Sequence, residues 1–453
     1  MSPLYIVLIV VTGVTLLLLM VLKFRLSAFV SLLITSIAVG VMAGMPLDKI
    51  SRSIQDGMGN TLGFVATVVG LGAIFGQMLE SSGGARSLAN YLLKKFGTDK
   101  ASWALMLTGF IVGIPIFLDV GFIILIPIVY ALTKDTKRSV LYYAIPLLAG
   151  LAVTHTMVPP TPGPTAVSEI LGVDLGWVVM MGLLVGLPTA VIAGPLFGRF
   201  IAKRIYVPVP EIFQDMGNAE EKDQKNLPSF GIIAALIMTP LLLILMSTFI
   251  KLGVDKGGLD NSLVTRVLIF IGHPFTALII ATLLSILLCL KRKMSRQVIL
   301  DLSTKALGPA GIIILVTGAG GVLKQILVDS GIGQMLAESL ADSSIPIIVL
   351  AWVLSSIVRI TQGSATVAMI TAAGIISPLL STFNLSQPNI ALIVIAIAAG
   401  ATILSHVNDS GFWIVSKYLG MNEKQTLKSW TIMETIIAVC GLAFTLILSL
   451  FFR

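Results

Sequence analysis

Apolar runs of about 17–28 residues recur along the chain from Pro3 to the C-terminus, divided by short polar stretches. About 20 apolar residues in a helix match the hydrocarbon thickness of a bilayer. Ten such runs read as full spans. Five precede the polar stretch 202–228, at 3–22, 27–44, 62–80, 139–172 and 176–200. Five follow it, at 229–250, 264–290, 307–327, 388–420 and 430–452. Two further stretches, 103–132 and 345–380, are too long for one span and carry Gly, Pro or charge at mid-length. Each is expected to form a re-entrant hairpin of two half-length helices. Irregular backbone at that depth must be surrounded by protein or line a water-filled cavity. Amphipathic pieces at 83–96 and 331–341 read as interfacial connectors.

Composition excludes a water-soluble globular protein. Hydrophobic residues make up 56% of the 453 and charged residues only 11%, against about 25% charged in soluble domains. The net charge of +8 calls for no nucleic-acid partner, because the basic residues gather in loops. With the N-terminus outside and both hairpins re-entrant, 22 of the 30 Lys and Arg fall on the inner side and seven outside, leaving Arg359 alone in the membrane. That is the positive-inside bias, and it collapses if either hairpin is read as a single span. The first run ends in Leu22-Lys23-Phe24-Arg25 without a small-residue cleavage site, so it is expected to be retained. Cys289 and Cys440 both lie in apolar runs and point to no disulfide framework. No zincin, nucleophile-elbow or P-loop motif is found, and no cofactor or metal is expected.

The halves also repeat. At an offset of 248 residues, Gly70, Gly72, Gln77, Leu79, Ser82 and Gly83 meet identical partners, as do Val167, Ser168, Leu171 and Gly172. Five spans per half is an odd number, so two copies must lie upside down to each other. The predicted fold is therefore an all-α polytopic membrane protein with two inverted repeats, 1–201 and 229–453, joined by a cytoplasmic linker at 202–228. Inverted repeats with discontinuous helices characterise secondary transporters.

Polar or helix-breaking clusters sit at four mid-membrane positions. They are Gly113–Gly121 and Arg359–Thr366 at the hairpin tips, and Thr154–Pro164 and Ser405–Gly411 in the broken spans. A charge at the bilayer centre costs about 2.5–3.5 kcal/mol even on a lenient scale, so such residues face a cavity and usually work. Helix N-termini ending there carry partial positive charge and attract anions. Arg359 brings a planar fork suited to a carboxylate. Thr154, Thr156, Thr161 and Gly163 in the first half are the expected substrate contacts. With Arg359 in the second stand Thr361, Gln362, Gly363, Ser364, Thr366, Asn408 and Ser410. One cation among many neutral polar groups suits a small polyhydroxylated carboxylate. Asp119, His155, His406 and Asp409 are the candidates for coupling a proton, Asp119 foremost because no cation adjoins it. The bland alternatives are an ion pair locking Arg359 to Asp119 or Asp409, and packing histidines. His273, before Pro274, reads as a packing or helix-break residue.

Several stretches carry a resemblance. Val68–Ala73, Pro115–Gly121, Val158–Pro164, Gly363–Ala368 and Ser405–Trp413 resemble the gluconate permease family of bacterial proton symporters, over essentially the whole chain. The resemblance implies import of gluconate or a related sugar acid with a proton across the bacterial inner membrane. A more distant likeness to the ion-transporter superfamily implies a homodimer embedded in lipid. One residue departs from the family pattern: Thr161 stands where its proline motif usually carries a histidine. Ser405–Asp409 resembles the sugar-acid members more than the D-serine branch, which stays as the alternative within the class. A membrane hydrolase using His155 or His406 with Asp409 is the alternative outside it, and no nucleophile motif supports it.

Overall fold

The computed structural model describes residues 3–210, 227–332, 346–380, 383 and 385–452. Among the described residues every regular element is a helix. The chain opens with α1 (Pro3–Leu22), α2 (Ala28–Met42), the long α3 (Leu47–Ser81) and α4 (Gly84–Phe96). The first overlong run is divided into α5 (Ala101–Val112) and α6 (Leu118–Thr136), and the run 139–172 into α7 (Leu141–Met157) and α8 (Pro162–Leu171). α9 (Leu175–Val191) passes through a π-helical turn, Ile192–Leu196, into α10 (Phe197–Ala202). The second half runs through α11 (Phe230–Asp255), α12 (Leu263–Ile271), α13 (Pro274–Lys291) and the long α14 (Arg296–Asp329). Its hairpin is α15 (Ile347–Gln362) and α16 (Ala365–Leu380), its broken span α17 (Gln387–Gly400) and α18 (Ser410–Leu419), and α19 (Glu423–Ser449) closes it.

Each break has a chemical cause. Gly113 and Pro115 end α5, since a residue before proline is pushed out of the helical region. Pro159 and Pro160 separate α7 from α8, and Pro162 starts α8 where a missing N–H costs nothing. Gly363 ends α15 with φ at +85°. A side chain there would also run into the backbone of Asn408, so only glycine fits. Asp409 caps α18 by accepting the Gly411 N–H at 3.1 Å.

Three boundaries differ from the sequence reading. The spans at 62–80 and 307–327 begin earlier, at Leu47 and Arg296. Their first turns are too polar for a hydropathy window, yet Ile50, Ser53 and Ile299 are buried. The run 264–290 is two helices, because Pro274 offers no N–H and the His273 Nδ1 accepts the Phe275 N–H at 3.3 Å in capping α13. That makes His273 a helix-break residue. The connector at 83–96 is α4; most of its counterpart at 331–341, and residues 211–226 of the linker, lie outside the described residues.

α3 and α14 pack along each other, with α13 on α3 and α2 on α14. Around them, α5 packs on α7 as α15 packs on α17, and α7 on α9 as α17 on α19. α9 reaches across to α17, and α19 to α7. In the most apolar window of Leu141–Leu171, 89% of residues are buried, against 39% for α11 and α13. A helix apolar all round belongs inside, so the α7–α8 break sits in protein, while α11 and α13, like α19, keep much of their apolar surface outside it. Shifted by 248 residues, α8 falls on α18 at both ends, and α9 begins where α19 begins.

The α3–α14 contact depends on two small residues. A Cβ on Gly57 would lie 2.7 Å from the Gly321 carbonyl oxygen and 2.8 Å from Val322 Cα. Such close backbone approach is how membrane helices associate without a hydrophobic driving force. Gly57→Val is expected to cost about 1–3 kcal/mol through overpacking. A melting temperature in detergent equal to the parent's would contradict this packing account.

Candidate functional site

The breaks of both halves meet around one cavity of about 350 Å³, within the range of small-molecule sites. Three helix N-termini reach it: α6 through Leu118 and Asp119, α16 through Ser364–Thr366, and α18 through Asn408–Gly411. α7 contributes Ala152, His155 and Thr156, α15 contributes Arg359 and Gln362, and α19 contributes Trp430 and Glu434. The N-termini present unpaired N–H groups and a positive field. Such ends favour an anion even before any cation is counted.

Arg359 lies in the last turn of α15, where a cation suits the helix dipole. It is 4% exposed. Its Nη2 donates to Asp409 Oδ2 at 2.5 Å, and its Nη1 donates to the Gly363 carbonyl. Its Nε is buried and has no partner among the described residues. Asp409 Oδ2 also accepts from Ser405 Oγ at 2.5 Å, and Ser405 Oγ in turn accepts the Trp430 indole N–H at 2.6 Å. A chain of donors thus runs from α19 to the carboxylate that neutralises Arg359. Such charge-assisted bonds are the strong ones, and here they fasten α15 to the break before α18.

Of the residues singled out from the sequence, the cavity brings together Asp119, His155, Thr156, Arg359, Gln362, Gly363, Ser364, Thr366, Asn408, Asp409 and Ser410. Thr154, Thr161, Gly163, Thr361 and His406 do not line it. Thr154 and Thr361 turn their hydroxyls onto carbonyls of their own helices, Gly150 at 3.0 Å and Ile357 at 2.8 Å. Thr161 donates to Val158 O at 2.7 Å and borders a much smaller cavity with Pro115, Gly72 and Pro160. Gly163 abuts Met369. His406 Nε2 and Asn408 Nδ2 each lie 3.0 Å from the Ile360 carbonyl, one of the orphan acceptors at the end of α15. His155 stands edge-on to Phe117 with ring centroids 5.8 Å apart, and its Nδ1 is buried without a partner among the described residues.

Glu434, Trp430 and Thr402 escaped the sequence reading, whereas Ser405 was read as part of its break but not as a partner of Asp409. Glu434 is the sole charged residue between Trp430 and Ser449. An acid inside an apolar run is a functional signal, but four residues from its start it looks like a boundary.

Broken helices that converge on a polar cavity among long apolar ones define a membrane transporter rather than an enzyme or a structural bundle. The chain belongs to the GntP permease family, whose model matches residues 5–451. It is 42% identical to a gluconate permease of Bacillus licheniformis, covering 98% of this chain and 99% of that one. It is 40% identical to the low-affinity gluconate transporter of Escherichia coli K12, covering 97% of each. An inner membrane permease of the same organism, YgbN, is 38% identical over 98% of both chains. Among solved structures, the Alcanivorax borkumensis YdaH transporter shares the fold, with a TM-score of 0.61 at 15% identity, covering 93% of this chain and 97% of that one. The protein is a multi-pass permease of the bacterial inner membrane.

The Arg359–Asp409 pair can be tested by its coupling. Asp409→Ala strands a buried guanidinium, which costs about 3–5 kcal/mol, and should lower the melting temperature of the purified protein sharply. Adding Arg359→Met should recover part of that loss. Strictly additive losses in the double-mutant cycle would mean the two side chains are not coupled.

Proposed function

We infer that this permease imports gluconate or a closely related sugar acid together with a proton. The observation that carries the reading is the convergence of three helix N-termini and the Arg359 guanidinium on one mid-membrane cavity. Thr156, Gln362, Ser364, Thr366, Asn408 and Ser410 add neutral hydroxyls and amides around it, as a polyhydroxylated acid requires. The gluconate names of relatives at about 40% identity over nearly the full length support the same substrate class.

The two-copy architecture belongs to this reading. The sequence identities at an offset of 248, the coincident ends of α8 and α18, and the matched packing of α5–α7 and α15–α17 all support inverted repeats. Their arrangement is unequal. α8 packs closely on α16, α3 and α14, whereas α6 and α18 touch only lightly. The C-terminal ends of α6 and α18 carry Lys134, Lys137, Arg138 and Lys417, on the side that the basic bias assigns to the cytoplasm. We take the cavity as open toward the cytoplasm, with the outer side closed.

Labelled gluconate should enter proteoliposomes of the purified protein under an inward proton gradient, and excess unlabelled gluconate should compete where D-serine does not. No transport of any aldonate, with or without the gradient, would reject the reading. Arg359→Lys keeps the charge but loses the planar fork. Because charge-assisted paired bonds are about twice as strong as neutral ones, gluconate binding should weaken about tenfold or more. Unchanged affinity in a thermal-shift titration would remove Arg359 from the site.

A further inference from the structure

We propose that Glu434 is the group that binds the transported proton, and that the substrate carboxylate is admitted beside it only when that proton is in place. This rests on the transport reading above and adds the residue that couples the two cargoes.

Glu434 lies on α19, 4% exposed, on the wall of the substrate cavity. Among the described residues no donor reaches its carboxyl; only its backbone carbonyl is engaged, by Thr402 Oγ1 at 3.3 Å. The charged groups that act on it are Arg359 and Asp409. The surroundings of α19 hold few others. α15 brings Arg359, the break before α18 brings Asp409 and His406, and α7 brings His155. α9 and α17 carry no titratable residue. Across the cavity stands Asp119, exposed in the first turn of α6.

The two acids near Arg359 are treated differently by the fold. Asp409 is saturated with donors: Arg359 and Ser405 on Oδ2, and the Gly411 N–H on Oδ1. It is the fixed counter-ion of Arg359, and together they make a neutral pair. Glu434 has no such donors. An ionised Glu434 and an incoming carboxylate would place two uncompensated negative charges against one protein wall, where charges interact more strongly than in bulk water. With a proton on a Glu434 carboxyl oxygen, one negative charge remains, and three helix N-termini face it. The proton comes from water on entry and returns to water on release, with no other bond made or broken. Coupling of this kind is reciprocal: if the proton raises the affinity for the anion, the anion raises the affinity for the proton by the same factor.

The experiment uses the full chain in proteoliposomes and in detergent, with gluconate as the probe. The parent should bind gluconate more weakly as pH rises, and in weak buffer it should take up about one proton for each gluconate bound. Glu434→Gln, fixed in the neutral form, should bind gluconate with an affinity that no longer responds to pH. It should exchange labelled for unlabelled gluconate yet lose accumulation driven by a proton gradient by about tenfold or more. Gradient-driven accumulation by Glu434→Gln equal to the parent's would overturn the proposal. So would a flat pH response in Asp119→Asn or His155→Gln while Glu434→Gln keeps the parent's slope. If Glu434→Gln does not fold, the parent decides: gluconate binding without proton uptake overturns the assignment. A parent that exchanges no gluconate at any pH fails the transport reading itself, a result separable from any behaviour of Glu434.

Discussion

The cost of an unpaired charge or backbone group in a medium that cannot solvate it governs this protein. Every helix broken at membrane depth leaves carbonyls and N–H groups that lipid cannot satisfy. The second half meets that cost by folding its two breaks onto each other. Asn408 and His406 take the Ile360 carbonyl, Arg359 takes the Gly363 carbonyl, and Asp409 takes Arg359. Gly363 alone lets the two segments approach closely enough for this. The starts of α6, α16 and α18, where a helix leaves its first N–H groups without intrahelical partners, line the cavity. The cavity thus lies where the pairing of the two breaks stops.

Much of the architecture was readable in the sequence because the membrane imposes few solutions. Run length marks the long apolar helices, and each of the two overlong runs is divided into two helices as expected. Gly113, Pro115, Pro159, Pro160 and Gly363 mark the breaks to within a few residues. Boundaries slipped where a helix outruns the apolar window, as α3 and α14 do, and where a proline divides a uniformly apolar run, as at His273-Pro274.

The site was readable as a set of places, less so as a set of side chains. Polar residues at a break can face the cavity or their own helix, and composition does not separate the two. Thr156 lines the cavity although its hydroxyl is also held by Ala152 O, whereas Thr154, two residues earlier, points elsewhere. Glu434 was hidden for a different reason: it stands on an intact helix that carries no break, and reaches the site only because α19 packs against α7, α17 and α18. Residues brought in by packing leave no local mark on the sequence.

The proline break of the first half has a consequence for how a ligand can lie. Pro159, Pro160, Pro162 and Pro164 have no N–H to offer, so this stretch presents mainly carbonyls. The corresponding break of the second half carries no proline between Ser405 and Gly411 and keeps its donors. The two corresponding breaks therefore differ in hydrogen-bonding character: the first offers few N–H donors, and the second keeps all of its own. Under the import reading proposed above, the head of a sugar acid belongs toward Arg359 and α18 and its hydroxylated tail toward α6 and α7. On that reading, chain length among substrates is measured at the tail end, against Asp119, His155 and Thr156, while the head is presented in one way.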